Sequence, residues 1–165
     1  MDIKSGAILF EIIYPEIAIL IAGMLILLLG NLIKSRGAMA FLALVGLVVG
    51  LIFAVRQWGD PQSGFFGMVM VDNFSVFFNV IFVAAAALTI MMARSYLKAH
   101  DIDRFEFYPL ILFSTVGMMV MASSADLVVI FLGLEIMSVP LYVMAGFARR
   151  DPGSNEASIL SLIHI

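Results

Sequence analysis

Cysteine is absent from the chain, which excludes disulfides, thiolate metal sites and thiol nucleophiles. Charge is nearly as scarce. Asp, Glu, Lys and Arg make up 13% of the 165 residues, against about 25% in an ordinary soluble domain. The two histidines, His100 and His164, share no metal-ligand spacing. There is no run of like charge and no basic patch, so a nucleic-acid partner is not expected. A basic stretch ahead of the first apolar run is also missing. Lys4 stands among Asp2, Glu11 and Glu16, and further positive charge comes only after the run. A cleaved signal peptide is therefore not expected, and the run is read as a permanent span.

What the chain does hold is apolar. Hydrophobic residues make up 63% and the mean hydropathy is +1.12, the balance of an integral membrane protein. Twelve methionines and thirteen glycines suit close, adaptable helix packing. The pattern predicts an all-α polytopic bundle with five spans, at about 15–33, 38–55, 73–96, 106–122 and 127–147. Pro15 suits a first helical turn, and Glu16 beside it favours the positive end of the helix dipole. Gly46 and Gly50 form a G-x-x-x-G pair, here read as chance in a glycine-rich segment rather than as a packing seam. The stretch from Arg56 to Asp72 is expected to be a long connection of turn and interface residues, Trp58 among them. Phe74, Phe77, Phe78 and Phe82 recur at helical spacing, as lipid-facing or core side chains would. Asn79 is placed to hydrogen-bond across helices, and Asp126 to cap the fifth helix. The short turn Ser123–Ala125 forces spans four and five to pack antiparallel.

Seven of the nine basic residues fall on one side of five alternating spans: Lys34, Arg36, Arg94, Lys98, Arg104, Arg149 and Arg150. The positive-inside rule makes that side cytoplasmic and the amino terminus external.

The chemistry centres on one residue. From Asp126 to Arg150 the chain is apolar almost throughout, with Glu135 near its middle. A charged carboxylate at that depth costs about 3 kcal/mol on insertion scales, so such groups face a bundle interior or wet cavity and serve ion or proton movement. Ser138 and Tyr142 lie three and seven residues on, on the same helix face, and are candidates to hydrogen-bond the carboxyl group or a water beside it. Pro140 removes a donor to the carbonyl of Ile136 and predicts a kink. No basic residue within these spans is placed to pair with Glu135. The bland alternative is a neutral glutamic acid bonded to a neighbouring helix.

The sequence F-Y-P-L-I-L-F-S-T-V-G-M-M-V-M-A-S-S-A-D-L-V-V-I-F-L-G-L-E-I-M-S-V-P-L-Y-V-M-A-G-F, Phe107–Phe147, resembles the core of the antiporter-like membrane subunits of respiratory complex I. Y-P-E-I at Tyr14–Ile17 and V-D-N-F-S-V-F-F at Val71–Phe78 fit the same group, and G-L-E-x-x-S-x-P-L-Y is the most specific element. The resemblance implies a proton channel in the membrane arm of an NADH:quinone oxidoreductase in a bacterial inner membrane. Glu135 would be its fifth-helix proton-translocating glutamate, and Ser138, Pro140 and Tyr142 would be parts of the motif without a catalytic role. It implies no cofactor or metal in this chain, since NADH, FMN, iron–sulfur clusters and quinone belong to other subunits. Its partners would be the other membrane subunits and the lipid bilayer. The resemblance implies that residues 1–158 are the amino-terminal part of the antiporter-like fold, five spans plus the truncated start of a sixth. Residues 159–165 are read as a non-native tail, because Leu160–Ile165 is similar to the translation of a transposon sequencing adaptor. A cation/proton antiporter subunit of the same fold and a small non-transporting membrane scaffold are the rival readings.

Overall fold

The computed structural model describes residues 11–32, 35–99, 102, 104–148 and 152–163. The readings of Lys4, Lys34, His100, Arg149, Arg150 and His164 lie outside the described residues. Three of the helices start where a side chain caps their free amides. Helix α1 (Tyr14–Gly30) has Pro15 and Glu16 in its first turn. Helix α2 (Arg36–Arg56) is capped by Ser35, whose Oγ accepts from the Ala38 amide at 3.4 Å. Helix α3 (Asn73–Ala99) follows a reciprocal cap: Asp72 Oδ1 accepts from the Ser75 amide at 2.8 Å, and Ser75 Oγ from the Asp72 amide at 2.9 Å. Helix α4 (Phe107–Ala122) is joined by the short turn to α5 (Leu127–Ala145), whose Asp126 cap accepts from the Val128 amide at 2.7 Å, as expected. Helix α6 (Pro152–Ile163) runs without a break through residues 159–163.

Helices α2, α3 and α5 are long and apolar enough to cross a membrane. Helices α1 and α4, with 17 and 16 residues, are apolar but shorter, near the lower limit of about 17 for a span. The exposed flanks are apolar too, with Leu28, Phe41, Met92 and Leu127 all largely uncovered, the mark of a surface that lipid or neighbouring membrane helices cover.

Helix α4 is the axis of the bundle and packs against α1, α2, α3 and α5. The main core gathers around it from Ile19, Ile26, Met39, Leu47, Ile90, Leu112 and Met119. Helix α5 lies on the outside, packed chiefly on α4 and α6. The α4–α5 seam is set by glycine. A Cβ at Gly117 would meet Met137 N, and Gly133 O at 2.7 Å; one at Gly133 would stand 3.0 Å from Gly117 O. The G-x-x-x-G pair of α2 is likewise a packing seam, which corrects the reading of it as chance. A Cβ at Gly46 would collide with the Ala22 side chain, and one at Gly50 would stand 2.5 Å from Ile19.

The connection between α2 and α3 is more ordered than the sequence implies. It holds an antiparallel hairpin of β1 (Gln62–Gly64) and β2 (Val69–Val71), in register Gln62↔Val71 and Gly64↔Val69. The reversal needs positive φ at Phe65, Phe66 and Gly67 (52°, 57° and 84°). The hairpin then grips the α4–α5 turn: the Met70 amide donates to Ser123 O at 2.8 Å and the Ala125 amide to Met68 O at 2.9 Å. Val69, Val71, Val76 and Ile12 form a small second core beneath it.

At the opposite end the basic turns come together. The Arg36 guanidinium lies 5.4 Å from the Phe105 ring centroid, and Arg94 Nη2 would be 2.9 Å from a Cβ at Gly37.

Candidate functional site

Glu135 is half-buried on α5, at the rim of the side packed against α4. That side is formed by Gly133, Ser138 and Pro140, all buried, while Phe131, Leu132, Ile136 and Val139 are exposed. The scaffold of α1–α4 therefore does not enclose Glu135. The carboxyl group stands at the border between the bundle and the outer apolar surface.

Glu135, Ser138 and Tyr142 occupy one stripe of α5 by their spacing. Ser138 Oγ donates back to its own helix, at Leu134 O. Its one proton is thereby committed, and what remains to offer a neighbour is lone pairs. Tyr142 is half-buried, and its backbone carbonyl accepts from Ser158 Oγ of α6 at 3.1 Å. Pro140 is buried within an α5 that stays helical from Leu127 to Ala145. Among the described residues, no group of three His, Cys, Asp or Glu stands close enough to hold a metal ion.

Thr115 Oγ1 donates to Ile111 O at 2.8 Å. Asn79 does not follow its expectation fully: it is 1% exposed, and its Oδ1 has no hydrogen-bond partner among the described residues.

A second buried carboxyl group escaped the sequence reading. Glu16 is 6% exposed, and its Oε2 has no hydrogen-bond partner among the described residues. Its first-turn position made the helix dipole a sufficient explanation. That interaction is worth about 0.3–1 kcal/mol in exposed settings, less than the cost of burying a charge in an apolar interior. The missed signal is spacing. Ile12, Glu16, Ile19, Gly23, Ile26 and Gly30 recur every three or four residues, and all are buried, so Glu16 belongs to the inward stripe of α1.

The geometry can be compared with known proteins. The family described as NADH:quinone oxidoreductase/Mrp antiporter, transmembrane, matches residues 124–164, which include Glu135 and its stripe. NADH-quinone oxidoreductase subunit N of Trichlorobacter lovleyi is 44% identical over 151 residues, 90% of this chain and 31% of that protein. NAD(P)H-quinone oxidoreductase subunit 2 of a Synechococcus species is 37% identical over 166 residues, 98% of this chain and 30% of that protein. A chain of respiratory complex I from Thermus thermophilus with bound aureothin superimposes with a TM-score of 0.74 at 28% identity, covering 90% of this chain and 32% of that one. The chain thus spans about a third of the length of the curated relatives it matches.

Proposed function

We propose, from a chain homologous over nine tenths of its length to NADH-quinone oxidoreductase subunit N, that the whole protein is a membrane-arm subunit of a proton-pumping NADH:quinone oxidoreductase. The carrying observation is the joint match of sequence and fold, with a complex I chain superimposing at a TM-score of 0.74. In this reading residues 1–158 are the amino-terminal part of an antiporter-like channel. The subunit holds no redox centre, and NADH oxidation, FMN, iron–sulfur chemistry and quinone reduction occur in its partners. It sits in a bacterial inner membrane with the hairpin end periplasmic and the basic turns cytoplasmic.

Glu135 is the group that takes up and releases the proton. Its support is a half-buried carboxyl group at mid-span on the outer helix, where neighbouring protein or water can reach it. Ser138 and Tyr142 stand on its stripe. Because Ser138 already donates to Leu134 O, its contribution is as an acceptor for a protonated Glu135. The 165 residues alone are expected not to pump, since a path across the membrane needs further exchanging groups than one carboxyl.

A cation/proton antiporter subunit is the second reading, favoured by the family description that joins the two classes. A non-transporting scaffold is the third. Purification of the tagged full-length protein from its native membranes separates them. Copurification of NADH:quinone oxidoreductase activity is the expected result. A complex without NADH oxidation favours the antiporter, and a protein that purifies alone favours the scaffold.

A further inference from the structure

We infer that Glu16 is a second proton-binding site of this chain, held as the neutral acid where α1 meets α2, with the Gln57 amide oxygen as the acceptor for its proton. Two buried atoms lacking partners among the described residues point to this pairing: Glu16 Oε2 and Gln57 Oε1. Gln57, the residue that closes α2, reaches across to the start of α1. Its Nε2 donates to Glu11 O at 2.9 Å and to Ile12 O at 3.2 Å. Ile12 lies one helical turn before Glu16, and helical side chains tilt toward the preceding turn. The amide is therefore fixed by its nitrogen beside the turn that the carboxyl group leans over. Its oxygen needs a donor. An ionised carboxylate has none to give, whereas the neutral acid has one O–H.

The surroundings favour that form. Gly50 lets α2 close on this turn: a Cβ there would be 3.3 Å from Pro15 O. The helices packed on α1 bring no counter-charge to its depth among the described residues. Helix α2 carries Arg36 at the far end and Arg56 exposed at its last residue, and α4 carries Tyr108 at the far end as its titratable group. A buried carboxyl group without a counter-ion keeps its proton.

The test is infrared spectroscopy of the full-length protein in its membrane, in the carbonyl region of protonated carboxyl groups, and it does not depend on pumping. Glu16→Gln, isosteric with the neutral acid, is expected to accumulate at the wild-type level and to lose one protonated-carboxyl band. Gln57→Leu is expected to move that band to higher frequency, since it loses its acceptor. A Glu16→Gln protein that keeps every such band, or that fails to accumulate, overturns the neutral site. A band unmoved by Gln57→Leu overturns the assignment of its acceptor.

Discussion

A serine whose proton is given to its own helix can assist a neighbouring carboxyl group only by accepting. Ser138 is in that position, with Oγ donating to Leu134 O. Ser138→Ala in the full-length protein is therefore expected to leave most proton pumping intact, measured in sealed vesicles, while Glu135→Gln removes most of it. Equal losses in the two variants would place the serine in the path itself. The Asp126 cap is a simpler case. Its Oδ1 bond to the Val128 amide is expected to be worth about 1 kcal/mol, so Asp126→Ala should lower the thermal stability of the purified protein by that amount. Glu135, Ser138, Pro140 and Tyr142 were all legible as a motif on one helix. Glu16 was not, because a first-turn acid already has a local explanation and its burial is decided by α2.

The helices themselves were easy to read, and their packing was not. A span in lipid is apolar on every side, so the contrast between inner and outer faces is weak. On some helices small residues mark the inward stripe instead. On α2 they are Ala40, Ala43, Gly46, Gly50 and Ala54, all buried. This is why the G-x-x-x-G pair was open to dismissal as chance, and why the central place of α4 was not foreseen. The same physics predicts which substitutions hurt. Gly117→Ala puts a Cβ against the backbone of α5, with Gly133 O at 2.7 Å, and backbone cannot yield as a flexible side chain can. A loss of about 1–3 kcal/mol is expected, read as reduced thermal stability. Gly67→Ala, where a Cβ meets nothing within 4 Å, should cost less through packing and act through its positive φ of 84°. The hairpin was hidden for a related reason. Its strands have three residues each, too few for an alternating pattern, and its turn places two phenylalanines at positive φ, which propensity argues against.

At the scale of the molecule, two ends of different chemistry face apart. One carries the hairpin, the α4–α5 turn and Gln57. The other gathers Arg36, Arg94 and Phe105. Single cysteines introduced into these 165 residues, which hold none of their own, report their sidedness. With a membrane-impermeant thiol reagent on intact cells, Ser63→Cys on the hairpin is expected to react and Ala99→Cys at the end of α3 to be protected. The reverse pattern would invert the topology. In the proposed reading, the outer position of α5 lets the proton path continue from Glu135 into neighbouring protein; the chain spans about a third of the length of its relatives.

The most direct measurement is the ratio of protons moved to NADH oxidised, in sealed membrane vesicles carrying the full-length protein with Glu135→Gln. The prediction is an assembled complex that still oxidises NADH but pumps less than half the wild-type number of protons per NADH. An unchanged ratio would contradict the role given to Glu135.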